Sequence, residues 1–268
     1  MEIPEKIIIV PYRDRKAQKK VFMSIIPEMF EGEQYRILFV HQNDKRNFNR
    51  GAMKNIGFIY TKETWPNHYK DITIIFHDID TLPYYKGQID YNTKKGIVKH
   101  LYGFKNILAL GGIFAIKGED FEKTKGFPNF WSWGWEDNIF YERMVMAKIK
   151  RDTNNIIDVN SKHLIQLDYN KKRKFNPEIL KYKISFLKDN YTTITNTKYE
   201  TEKIKDHIYI IHVNKFNTPY NNENVILNDV HTHEIAKTKH KNWRHYERKS
   251  RQYANMRKKQ GLMPRMGR

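Results

Sequence analysis

Three short apolar runs constrain this chain most. KIIIVPY (6–12), YRILFVHQ (35–42) and DITIIFHDID (71–80) alternate with two stretches of helical periodicity. An apolar run of four to eight residues that ends in charge or proline reads as a buried strand. Residues 14–30 place Val21, Ile25 and Met29 on one helical face, and Asn49 can cap a helix that carries Met53, Ile56, Phe58 and Ile59. Strand, helix, strand, helix, strand is the signature of an α/β fold: a single doubly wound, mostly parallel sheet flanked by helices. Farther on, residues 81–106 read as a long loop, and NILALGGIFAIK (106–117) is apolar around a Gly pair. GFPNFWSWGW (126–135) reads as a shaped loop, and EDNIFYERMVMAKI (136–149) as a helix with acids in its first turn, where the helix dipole favours them. Short strands are expected near 156–168 and 207–213, around a helix at 177–189, with loose order from 214. A chain of 268 residues suits one α/β domain, here 1–213, with an extension at 214–268.

Composition removes several functions. The chain has no cysteine, which excludes disulfides, thiol chemistry and Cys-type zinc sites and suits a reducing compartment. The N-terminal apolar run, Ile7 to Val10, is too short for a signal peptide or a membrane span. The expectation is a soluble, cytoplasmic protein, as in a microbe or a large virus. The formal net charge is +19, and residues 237–268 hold 12 Lys/Arg against one acid, Glu247. This tail interleaves Trp243, Tyr246 and Tyr253 with its cations. It can serve nucleic acid, an acidic glycan or an anionic membrane, or be a solvated, partly helical extension.

Three constellations can carry chemistry. Asp78 and Asp80, two apart on a strand, would share a face at the sheet's carboxyl edge, where open α/β sheets bind ligands. Their mutual repulsion is relieved by a hard divalent cation such as Mg²⁺ or Mn²⁺; an Asp-x-Asp is equally a solvated turn. In WSWGWEDN (131–138), two acids open a helix behind a Trp-rich loop. A carboxylate there can take a proton from a sugar hydroxyl while a Trp ring stacks on the sugar; the alternative is dipole capping beside a core Trp. Arg13 and Arg15, just past the first strand, offer planar forks suited to phosphate.

In this order the motifs resemble the β-1,4-galactosyltransferase family (inverting, glycosyltransferase family 7), which has a GT-A fold. PYRDR (11–15), FNRGAMKNIGF (48–58), HDIDTLP (77–83), GGIFAI (111–116) and GFPNFWSWGWED (126–137) fall as the family's motifs do, covering about residues 6–190. The resemblance implies that Pro11, Tyr12, Arg13, Arg15, Phe48 and Arg50 contact a UDP-sugar donor. It places Asp78 toward the ribose or donor sugar, Lys99 at a matching basic position, and Gly112 where the donor sugar needs room. Trp133 would close over the donor and meet the acceptor. Glu136 and Asp137 would bind the acceptor sugar, with Asp137 as general base, and Asp80 would ligate Mn²⁺ or Mg²⁺. The implied product is a β-linked galactose on a glycan or glycoconjugate.

The chain departs from the family in three places. Asn138 stands where a third acid is usual. Of the usual downstream His pair only His163 is present, with Gln166 or Asp168 as its possible companion. Ala109 replaces a common Tyr, which leaves room for UDP-N-acetylgalactosamine. Two other functions stay open: a retired GT-A binding protein attached through its basic tail, and a retaining N-acetylgalactosaminyltransferase.

Overall fold

A computed structural model of the chain describes residues 2–159, 161–167, 173–175, 188–219 and 228–230. The three apolar runs form β1 (Lys6–Tyr12), β2 (Tyr35–Gln42) and β3 (Thr73–Phe76). Between them lie α1 (Lys16–Met29) and α2 (Arg50–Thr64). In β1, Ile7 and Ile9 pack into one apolar cluster while Ile8 and Val10 pack into the other, on the opposite face. Both faces are covered, which explains why the run is apolar throughout rather than alternating.

The next elements are β4 (Thr81–Leu82), β5 (Ile97–Gly103), β6 (Ile113–Lys117), α3 (Gly118–Thr124) and α4 (Glu136–Met146). They are followed by β7 (Lys150–Asp152), β8 (Ile157–Asp158), β9 (Ile165–Gln166), β10 (Arg173–Phe175), β11 (Thr195–Lys205), β12 (Ile208–Asn217) and β13 (Asn228–Val230). The main sheet runs β11-β12-β2-β1-β3-β6-β5-β7, with β8 on β5. Its β12-β2-β1-β3 half is parallel, whereas β6 is antiparallel to both β3 and β5, and β11 is antiparallel to β12. The sheet is therefore mixed. The ladder between β3 and β6 ends at the pair Phe76–Phe114. The chain leaving β3 (His77, Asp78) and the chain entering β6 (Gly111, Gly112) therefore emerge side by side.

Several expectations are corrected. The 81–106 segment is not all loop, since it holds β4 and β5. Its Lys- and Tyr-rich composition hid a strand whose apolar residues are spaced by Lys99 and His100. Residues 214–217 belong to β12, past the boundary expected at 213. The Asp-x-Asp pair does not lie on a strand: β3 stops at Phe76, residues 77–78 are irregular and 79–80 form a turn. The helix expected at 177–189 falls almost wholly outside the described residues, as does the 237–268 tail. Two compact units are distinguished, 1–169 with 175–227, and 170–174 with 228–268; the larger holds the main sheet. Among the described residues no helix is long and apolar enough to cross a membrane.

Candidate active site

The N-terminus of α2 and the 126–135 loop are one structural unit, tied by three asparagines. Asn49 caps the helix, its side-chain oxygen accepting from the Ala52 N–H at 2.9 Å, while its amide donates to the Asn129 carbonyl at 2.9 Å. The Asn55 amide donates to the Phe127 carbonyl and to Asn129 Oδ1, both at 2.8 Å. The Asn129 amide in turn donates to Asp189 Oδ1 at 2.6 Å. Asn49, Asn55 and Asn129 are fully buried, and leaving any of these polar groups unpaired there would be costly. Gly51 sits against the loop so closely that a Cβ would lie 2.0 Å from the Pro128 carbonyl oxygen. This explains why the FNR and GFPN segments occur together: each satisfies the other's buried amides.

With α2 fixed, Arg50 and Lys54 share one helix face by their i, i+4 spacing, and both meet the start of α4. Arg50 Nη1 is 3.3 Å from Glu136 Oε1, and Lys54 Nζ donates to Asp137 Oδ1 at 2.9 Å. The Lys54 side chain is 4% exposed and its ammonium lies 4.4 Å from the Phe127 ring centre. Burial pushes the Glu136 carboxyl up, but Arg50 and Lys54 more than reverse this and hold it below the usual range. Asp137 goes the other way. Burial raises it against the pull of Lys54, Glu136 and Asp78 add repulsion, and it is pushed up to about 6. Two neighbouring carboxyls thus differ, one firmly ionised and one poised near neutrality. The second oxygen of Asp137 faces Gly111, where a Cβ would stand 2.7 Å from Oδ2. Asp78 completes the cluster, near enough to raise Arg50 and Asp137.

A cationic and aromatic group adjoins it. Arg13 and Arg50 lie 5.2 and 5.6 Å from the Phe48 ring centre, and Arg13 Nη1 donates to the Arg46 carbonyl at 2.5 Å. Pro11 and Tyr12 are buried at the end of β1, and Arg15 is half-buried at the N-cap of α1. Lys99 is engaged differently from the donor contact expected of it: its ammonium is ion-paired with Asp90. Gly112 has φ 81°, the left-handed region, and a Cβ there would lie 2.3 Å from the Tyr102 carbonyl oxygen. Ala109, two residues before Gly111, is half-exposed.

The three Trp of the loop divide. Trp131 is a core residue, fully buried and stacked on Phe216 at 5.2 Å, with the Arg46 guanidinium 4.5 Å from each ring. Trp133 and Trp135 are half-exposed. Ser132 and Trp135 have φ of 86° and 68°, a backbone region costing about 1–3 kcal/mol for a residue with a side chain. The loop is held in that shape by the Ser132 N–H on the Phe48 carbonyl and the Gly134 N–H on Glu136 Oε2. Asn138 is buried and donates to the Leu108 carbonyl at 3.0 Å, so it ties α4 to the loop before Gly111.

The turn after β3 carries Asp80. His77 anchors it, Nδ1 donating to the Asp78 carbonyl at 2.8 Å; burial lowers His77 to about 4, so the ring is neutral. The antiparallel ladder of β4 with β9 brings the 161–167 segment alongside, and the Leu167 N–H donates to the Asp80 carbonyl at 2.7 Å. The His163 side chain is exposed. Gln166 is engaged elsewhere: its Oε1 accepts from the Tyr102 hydroxyl at 3.1 Å and its amide reaches the Val159 carbonyl at 3.3 Å. Asp168 lies outside the described residues. Among the described residues no three His, Asp or Glu side chains gather into a metal cage. A small hard cation held by one or two carboxylates plus substrate phosphates needs no such cage, so the oxygen donor at Asp80 fits one.

Lys54, His77, His100 and Asn129 are site residues that the motifs alone did not single out. The signal for Lys54 was its position, a lysine four residues after Arg50 and inside an apolar stripe. His100 is buried and lowered to about 4 by burial and by Arg151. Its Nε2 donates to the Gly111 carbonyl at 2.7 Å, and its Nδ1 accepts from Arg151 Nε at 3.1 Å. It props the Gly pair under Asp137.

Similarity to known proteins agrees with this geometry. Residues 3–92 match the N-terminal region of glycosyl transferase group 7, and residues 100–164 match the N-terminal domain of galactosyltransferase. The chain is 26% identical to β-1,4-galactosyltransferase 1 of Bos taurus over 218 residues, 75% of this chain and 52% of that one. It is 24% identical to xylosylprotein 4-β-galactosyltransferase of Caenorhabditis elegans over 219 residues, 76% of this chain and 68% of that one. The chain thus spans about half the length of the bovine relative. A crystal structure of a mutant Drosophila β-1,4-galactosyltransferase 7 with manganese, UDP-Gal and xylobiose superposes with a TM-score of 0.61 at 22% identity, covering 79% of this chain and 94% of that one. Together with the two matched segments, which span more than half the chain, these likenesses show that it belongs to the galactosyltransferase family, glycosyltransferase group 7.

Proposed function

We propose that the protein is an inverting, metal-dependent glycosyltransferase that moves galactose from a UDP-sugar to an acceptor hydroxyl. One observation carries the reading: Arg50, Asp78, Glu136 and Asp137, from three distant segments, meet beside the Gly111–Gly112 pair. The Drosophila structure supports it, since that related enzyme holds manganese, UDP-Gal and xylobiose.

In this reading Arg13, Phe48 and Arg50 bind the nucleotide and diphosphate, with Pro11, Tyr12 and Arg15 shaping that end. Asp78 faces the donor sugar, and Trp133 covers donor and acceptor. Glu136, kept ionised, accepts hydrogen bonds from the acceptor sugar. Asp137 accepts the acceptor's hydroxyl proton. The freed electron pair forms the bond to the anomeric carbon from the face opposite the nucleotide. The bond from that carbon to the diphosphate oxygen breaks, its pair stays on the departing UDP, and the product is β-linked. Asp80 would hold Mn²⁺ or Mg²⁺, with His163 as a further ligand, and the cation supplies Lewis-acid stabilisation of the leaving diphosphate. Holding both sugars in register supplies much of the rest.

UDP release with UDP-galactose and simple glycoside acceptors, xylobiose included, tests the reading with and without Mn²⁺. Transfer should require the metal, and Asp137→Asn should lower kcat by roughly 10²–10⁴-fold, the usual worth of a general base. A near-normal rate in that variant would remove Asp137 from the role. The short side chain at Ala109 leaves space at the donor's C2 substituent, so UDP-N-acetylgalactosamine is the second donor to assay. Rejection of every N-acetyl donor would refute that preference.

A further inference from the structure

Lys54 is an expensive residue to bury. An ammonium out of water is tolerated when it is paired, and here its ion-pair partner is the proposed base. The groups facing Asp137 can be named. Lys54 and Arg50 come from α2, Glu136 from its own helix, and Asp78 from the segment after β3. The Leu110 N–H holds the Asp137 main-chain oxygen at 3.0 Å. Arg50 is turned to Glu136. Lys54 is therefore the cation on Asp137 itself, and it sits on one oxygen, Oδ1. The other oxygen looks over Gly111, a position with no side chain in its way.

We infer that Lys54 is a positioning residue for the transfer reaction: it holds Oδ1 of Asp137 so that Oδ2, above Gly111, is the oxygen that takes the acceptor's proton. The inference rests on the proposed reaction. Lys54 does two things that an apolar residue there could not. It fixes the carboxylate plane, and it offsets the repulsion of Glu136 and Asp78, which would otherwise keep the base protonated and idle.

Three variants of the full chain test this: Lys54→Met, Lys54→Arg and Gly111→Ala. The Asp137 carboxyl is titrated by ¹³C NMR without donor, and the acid limb of kcat/KM for the acceptor is measured with UDP-galactose and Mn²⁺. In Lys54→Met both titrations should move up by about one pH unit or more, the usual effect of losing an opposite charge at this distance. Activity at pH 6 should fall about tenfold and recover partly at higher pH. Lys54→Arg should return both toward the wild-type values. Gly111→Ala, which puts a methyl against Oδ2, should lower kcat while leaving the acid limb and the donor KM in place. A folded Lys54→Met with unmoved titrations overturns the inference. If that variant does not fold, a fully active Gly111→Ala overturns it alone. A wild type that transfers no sugar at all sinks the proposed reaction instead, while the NMR titration still reports on the Lys54–Asp137 pair.

Discussion

At the residue scale, Glu136 and Asp137 are adjacent in sequence yet titrate apart because their partners differ. Glu136 faces Arg50, and Asp137 faces one lysine and two other acids. In its proposed role as base Asp137 must be deprotonated to work, so its raised value sets a lower pH bound. The expected kcat/KM for the acceptor is flat above about pH 7 and falls as pH drops through about 6. A profile still flat at pH 5 would exclude Asp137 as the titrating group. Glu136→Gln should weaken acceptor binding and raise KM. It should also move the acid limb down, because one negative neighbour of Asp137 is gone. A limb that rises would contradict the repulsion described here.

At the element scale, α2 is the part that assembles the site. It contributes Asn49, Arg50, Lys54 and Asn55, and its two glycines let it approach its neighbours. Replacing a helical Gly by Ala ordinarily gains about 0.5–1 kcal/mol in helix propensity. At Gly51 the clash wins: the new Cβ would lie 2.0 Å from a main-chain oxygen that Pro128 cannot swing away. Gly51→Ala should therefore lose about 1–3 kcal/mol of stability, the usual cost of overpacking, and also lower activity because Arg50 and Lys54 shift with the helix. Urea denaturation and a transfer assay on the same preparation read both. Unchanged stability would mean that α2 and the 126–135 loop are not packed as described. Sequence reading found this helix and its Asn49 cap, yet it could not see the loop that demands Gly51.

At the scale of the whole molecule, burying neutral imidazoles makes the fold acid-sensitive. His77 and His100 are each lowered to about 4 from an ordinary value of 6.5, mainly by burial. The unfolded chain binds those two protons first, so this contribution to stability is complete well above 6.5 and is lost as pH falls through 6.5 toward 4. Between pH 6.5 and 5 the loss should be about 1.5 kcal/mol for each histidine. Chemical denaturation at the two pH values measures it, and equal stabilities would show that these rings are not buried neutral. Both rings also hold site backbone, His77 at the Asp78 carbonyl and His100 at the Gly111 carbonyl. Activity and stability should consequently fail together at low pH.

The sequence by itself determined the strands β1, β2 and β3, the helices around them, and the motif residues from Arg13 to Asp137. Local apolar runs, an Asn cap and first-turn acids are properties of neighbouring residues, and those can be read along a line. Only the tertiary structure decided the rest. Because β6 runs antiparallel to β3, Asp78 emerges beside Gly112, and the Asp-x-Asp pair lies past the strand's end rather than on a strand face. Trp131 proved to be core although it stands two residues from the half-exposed Trp133, since packing against Phe216 depends on a strand 85 positions later. Above all, the pairing of Lys54 with Asp137 spans 83 positions. No spacing rule reaches that far, and it is this contact that opposes the upward push of burial on the proposed base.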